Sequence, residues 1–143
     1  MSDIITNEFM RGIAAKEIDW DSDVHKVALL NSGYIPDRDH TSYANISGYE
    51  IANGNGYTTG GVTVSGTIIK DNALDKVFYD LSDPSWTASG GDLGPARYAG
   101  LYDTSSSNAL CYIFDFNTDQ TADNGADFKI IINSSGLMSS YQM

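Results

Sequence analysis

Among 143 residues there is one cysteine, two histidines, three prolines and eight lysines or arginines. Each scarcity excludes something. A lone thiol, Cys111, cannot close an intramolecular disulfide. It lies inside ALCYIFDF, an apolar strand-like run in which a thiol serves as a small inert hydrophobe. One Cys and two His, far apart in sequence, do not make a tetrahedral zinc set. Proteins that grip phosphates by counterion release need clustered Lys and Arg. Here the basic residues are dispersed, against nineteen acids and a formal charge of −11. Nucleic acid and anionic membrane are therefore not expected as partners. Long apolar runs are missing too, with nothing near the ~20 residues that cross a bilayer. The opening MSDIITNEFMRG is acidic first and has no continuous apolar region, so export by a signal peptide is not expected. Without that route the sequons at Asn45-Ile46-Ser47 and Asn133-Ser134-Ser135 carry no meaning.

What is present suits a β-domain. Nine Tyr in an aromatic content of 11% supply a core, and fourteen Gly with scattered Asn, Asp and Ser supply turns. Ile5, Phe9 and Ile13 stand four apart within IITNEFMRGIAAKE, which predicts a short amphipathic helix over 4–17 capped by Ser2 or Thr6. Gly12 weakens its middle by about 1 kcal/mol relative to Ala. After Trp20 the period changes. Strands are expected at 24–30, around 49–51, along VTVSGTII, at 76–81, in PARYAGLYD and in ALCYIFDFN, and FKIIIN with GLMSSYQ should form a closing hairpin. SDPSWTASGGDLG reads as a loop anchored by Trp86, and TDQTADNGAD as an acidic loop. The fold class expected is all-β, a β-sandwich of jelly-roll or immunoglobulin type with about seven or eight short strands. The N-terminal arm would cover 1–18 and the sandwich 19–143.

Residues able to carry chemistry are few. Asp19, Asp21 and Asp23 in DWDSDVHKVALL have the alternate spacing that opens an EF-hand loop. The sixth position, which needs Gly, is Val24, and the twelfth, which needs Glu, is Leu30, so this is a solvated turn feeding a strand. Asp119, Asp123, Asn124 and Asp127 could hold a loosely bound structural Ca²⁺. GNGYTTGG lacks the P-loop lysine and precedes a strand, so it is a turn. His25 alternates with core residues, and His40 lies in the polar loop PDRDHTSY. Neither accompanies a G-x-S-x-G nucleophile elbow. Arg97, on a strand beside Ala99 and Leu101, is expected to be a structural clamp paired with a carboxylate or with carbonyl groups. No cofactor and no enzymatic activity are expected. A small enzyme would need His25 or His40 to meet a carboxylate in a pocket.

The order DWDSDVHKVALL, GYIPDRDHTSYANISGYEI, GYTTGGVTV, Trp86, ARYAGLYD, YIFDF and FKIIINSSGLM, running from about Phe9 to Leu137, resembles a widespread family of small tailed-phage virion proteins. Gly100 and the polar Asn133-Ser134-Ser135 depart from its pattern. The resemblance implies a structural role on the particle, made in the host cytoplasm and located in the virion. A capsid-decorating protein that binds the major capsid protein or other virion proteins, as a homo-oligomer, comes first. A tail component or receptor- or glycan-binding adhesin comes second, and would show exposed Trp or Tyr beside Asp or Asn in one cleft. Ile5, Phe9 and Ile13 are the candidate docking surface, because a short helix with a central Gly is marginal alone; packing of the stripe on the chain's own sandwich is an equal alternative.

Overall fold

The computed structural model describes residues 3–141. The chain begins with a two-residue strand β1 (Ile4–Ile5) and helix α1 (Asn7–Ala14), followed by strand β2 (His25–Leu30). A long connection with two short 3₁₀ turns leads to β3 (Val62–Val64), β4 (Gly66–Asp71), β5 (Lys76–Leu81) and β6 (Ser85–Thr87). Then come the two longest strands, β7 (Leu93–Asp103) and β8 (Ala109–Ala122), and finally β9 (Asp127–Lys129) and β10 (Met138–Tyr141). The strands form antiparallel sheets in the orders β1-β8-β7-β2-β3, β10-β5-β4 and β6-β9. The fold is all-β and sandwich-like.

The five-stranded sheet is buried on both faces, which explains why β2 reads as the near-continuous apolar run VALL rather than as an alternation. Val27, Leu29, Ala99, Leu101 and Phe114 face one core, shared with Phe9, Trp20, Leu81, Trp86 and Met138. Ala28, Leu30, Tyr98, Tyr102 and Ile113 face a second core, closed by Tyr34 and Ile46 from the long connection. Gly100 makes that closure possible. A Cβ there would sit 2.5 Å from Ile46 Cδ1, so any larger residue would push the Ile46 side chain off the sheet.

Several expected elements fall differently. The helix has eight residues, fewer than the span 4–17 predicts, and its start is set back because Ile4 and Ile5 pair with Ile113 and Tyr112 as an edge strand. Thr6 explains the switch: its Oγ1 accepts the Phe9 N–H at 3.1 Å as an N-cap and donates to Leu110 O at 2.6 Å. The alternative cap, Ser2, lies outside the described residues. Gly12 is less a weakness than a contact: Ile18 packs so closely that a Cβ would fall 2.5 Å from its Cδ1. VTVSGTII is not one strand, since Ser65 separates β3 from β4 and the two join different sheets. The hairpin expected between it and 76–81 is β4–β5. The closing hairpin does not form; β9 pairs with β6 while β10 pairs with β5. In place of a strand at 49–51 there is a 3₁₀ turn, tied to the sheet by a Leu30–Glu50 bridge.

Candidate functional site

The expected docking stripe is absorbed by the chain itself. Phe9 is 4% exposed, with its ring edge-on to Trp20 at 5.7 Å and to Tyr79 at 5.8 Å. Ile5 and Ile13 pack against the same core. An arm over 1–18, free to reach a partner, is therefore not what the N-terminus provides. Arg11 fastens it further, gripping Glu8 at 2.5 Å and Glu17 at 2.7 Å.

The Ca²⁺ candidates are not brought together. β8 continues through Asp119 to Ala122 instead of ending in an acidic loop, and Asp123 stands in the turn that follows. Asp127 is on β9 and accepts a hydrogen bond from Thr87 Oγ1 at 2.7 Å. Asp23 Oδ2 accepts the Asp19 N–H at 2.9 Å, and its carboxyl interacts with that of Asp103. Among the described residues no three His, Cys, Asp or Glu side chains are grouped so as to hold a metal ion.

That carboxyl pair lies in the most unusual polar cluster of the molecule. His25 and Asp103 stand opposite each other across β2 and β7, and both are fully buried. His25 Nε2 lies 2.8 Å from Trp20 O, which can only accept, so the proton sits on Nε2. Nδ1 has no hydrogen-bond partner, and Asp103 Oδ2 has the Asp23 carboxyl near it without regular hydrogen-bond geometry. Burial, and secondarily the interaction with Asp23, push Asp103 up to about 7. Asp23 is held below its ordinary value by that same interaction, while burial lowers His25. Asp103 Oδ1 accepts the Ser105 N–H at 2.9 Å and Ser105 Oγ accepts the Val24 N–H at 2.9 Å. The group thus ties the β7–β8 turn to the start of β2. With His25 and Asp103 both closed to solvent, it is built as a clasp. Cys111 packs in the same core, and burial raises its thiol far above the ordinary range.

His40 meets no carboxylate; its Nδ1 lies 2.8 Å from the hydroxyl of buried Tyr34, whose own ionisation is pushed up to about 12, first by burial. Arg97 leaves 27% of its side chain exposed and sets Nε 3.5 Å from Asp115 Oδ1, in an ion pair without hydrogen-bond geometry. Its guanidinium carbon lies 5.2 Å from the Tyr98 ring centroid. Asp115 also accepts the Asn117 N–H at 2.8 Å, so losing Arg97 would not strip it bare. Arg97→Met should therefore cost about 2 kcal/mol, the scale of one charge-assisted interaction. Urea unfolding checks this, and a midpoint unchanged from wild type would dismiss the clamp. Trp86 is buried on β6, edge-on to Phe128.

Sequence reasoning missed Glu50. Its carboxylate accepts from Tyr43 Oη at 2.5 Å, from the Gly60 N–H at 2.6 Å and from Tyr57 Oη. Tyr43 stacks on Tyr102 at 4.6 Å, and Tyr57 Oη also accepts the Leu29 N–H. One acid thus organises the whole long connection. The only advance signal was the concentration of Tyr in an otherwise polar stretch.

Outward-facing features include a groove and an apolar edge. A groove of about 450 Å³ runs between the end of β8 and β9, lined by Phe116, Gln120, Asp127, Phe128, Lys129 and Ile131. Edge strand β4 carries Ile68 and Ile69, 44% and 43% exposed, and Leu74 at its hairpin tip is 58% exposed. No helix among the described residues is long and apolar enough to cross a membrane. Comparison with known proteins returned no matching family model, curated protein or solved structure.

Proposed function

We propose that the chain is a structural protein of a tailed-phage particle, most specifically a capsid-decorating protein that binds the major capsid protein. The observation that carries this reading is the placement of outward apolar side chains. Ile68, Ile69 and Leu74 gather on one hairpin, whereas the titratable groups of the His25 cluster are folded inward as a clasp. Apolar side chains of this hairpin face solvent, whereas His25 and Asp103 do not. The order of motifs across the chain supports the particle assignment. Many copies on a lattice give avidity, so a modest patch per copy suffices.

The groove between β8 and β9 favours a second reading, a tail or receptor-binding component. It sets Phe116 beside Gln120, Asp127 and Lys129, an apolar floor with hydrogen-bonding groups at its rim. It lacks the exposed Trp or Tyr that a glycan cleft would present. Immunogold labelling of intact particles separates the two. Label over the head, and binding of purified protein to heads that lack it, is the expected result. Binding to tails or host cells and never to heads removes the decoration reading and leaves the adhesin in its place.

A further inference from the structure

β4 is the outermost strand of the sheet β10-β5-β4, and among the described residues one side of its backbone has no neighbouring strand. Natural edge strands are usually shielded by charge, bulges or covering loops. β4 instead presents isoleucine on both faces: Ile68, opposite Tyr79, points to the core side, and Ile69, opposite Phe78, to the outer side. Residues 67–70 are all exposed. An occupant that covers both isoleucines must be another strand, extending the sheet and supplying apolar groups on both faces. We propose that the occupant is β4 of a second copy of this chain, paired antiparallel about a twofold axis centred on Ile69.

Charge supports self-pairing at this place. Two copies at −11 repel over most of their surface, but on this hairpin Lys70 and Lys76 nearly balance Asp71, Asp75 and Asp80. The twofold keeps each sheet face with its own kind, so the symmetric registers are those centred on single residues. Centring on Lys70 or Asp71 sets like charges directly opposite, which is unfavourable. Centring on Ile68 places Lys70 opposite Gly66, where Trp20 lies so close that even a Cβ on Gly66 would come within 2.4 Å of its carbonyl oxygen. Centring on Ile69 meets neither obstacle. Ile69 then faces Ile69, Thr67 faces Asp71, and Ile68 covers the stem of Lys70. On the outer face Phe78 flanks each isoleucine. Lys70 and Asp71 act as register pins. The dimer covers Ile68 and Ile69, two of the residues on which the proposed function draws, and leaves Leu74 at the hairpin tip as the exposed apolar residue of this hairpin.

Residues opposite one another across an antiparallel pair have Cβ atoms about 4.5–5.5 Å apart, close enough for a disulfide. The buried Cys111 will not compete. Ile69→Cys should cross-link to a dimer under mild oxidation, while Ile35→Cys, at a site 76% exposed away from this edge, should not. In sedimentation equilibrium the wild-type chain should dimerise, and Ile69→Lys should weaken the dimer at least about tenfold with an unchanged circular dichroism spectrum. A wild-type chain that stays monomeric at several hundred micromolar overturns the proposal and leaves the edge to a strand of another protein. Cross-linking of Ile35→Cys as efficient as that of Ile69→Cys also overturns it, since collision alone then accounts for both.

Discussion

Phe9→Ala will lower stability by about 3–5 kcal/mol, the usual cost of emptying a buried phenylalanine site. Domains of this size have only about 5–15 kcal/mol in total, so the variant should be largely unfolded at moderate urea. The ring is 4% exposed and closes an aromatic group with Trp20 and Tyr79, which belong to different layers. Little is free to collapse into the gap. Met10, the next residue of α1, is 54% exposed, and Met10→Ala should fall within about 0.5 kcal/mol of wild type. Urea midpoints by fluorescence give both numbers. By the same argument, deleting residues 1–17 should unfold the β-domain rather than release it, because β1 and α1 are built into the sheet and the core. Equal midpoints for Phe9→Ala and wild type would show that the helix is detachable after all.

How far the sequence could be read depended on the range of the interactions involved. Where local pattern and burial agree, the expectation matches: HKVALL is β2, and ALCYIFDF lies in β8. The β4–β5 hairpin follows from the turn DNAL between alternating runs. Failures occur where a distant partner decides. Ile5 fits a helical stripe, yet β8 offers it an open edge, and Thr6 ends the strand and starts the helix in one residue. Thr118–Ala122 is polar enough to read as a loop, yet it continues β8 to Ala122, where it pairs with Leu93 of β7. Propensity there is overridden by pairing.

The polar networks were harder still. Asp23 and Asp103 are eighty residues apart, and nothing in either neighbourhood marks the other. Their meeting follows from β2 pairing with β7, which no local period encodes. Glu50 likewise draws on Tyr43, Tyr57 and Gly60 within a segment that has almost no regular structure. Arg97 could be placed beside a carboxylate because a guanidinium among small apolar neighbours has few other choices, but which carboxylate depended on the β7–β8 register.

Asp103→Asn should change how stability depends on pH more than any other conservative substitution in the molecule. The ordinary value of 3.8 applies to the unfolded chain, and in the fold the group is pushed up to about 7. Below pH 4 Asp103 is protonated in both states, and its contribution to stability is fully present. As pH rises from 4 to 7 the unfolded chain releases the proton while the fold retains it, so that contribution is lost. Three units at 1.36 kcal/mol set a ceiling of about 4 kcal/mol, and the opposite shift of its partner Asp23 brings the net effect below that ceiling. The groups around it are Asp23 from the turn before β2, His25 opposite it on β2 and Cys111 on β8. His25 acts in the opposite sense, since its lowered value gives stability above pH 6.5 that is lost as pH falls. Total stability therefore mixes the two, but the difference between variant and wild type cancels the histidine. An amide at 103 is neutral at every pH, keeps an oxygen for the Ser105 N–H and keeps a donor for Asp23. The two proteins should be equally stable at pH 4, and the variant more stable at pH 8, by less than the ceiling of about 4 kcal/mol. Urea unfolding at intervals from pH 4 to 8 gives the difference curve. A curve flat across that range would mean that Asp103 is ionised in the fold and that the pair shares no proton.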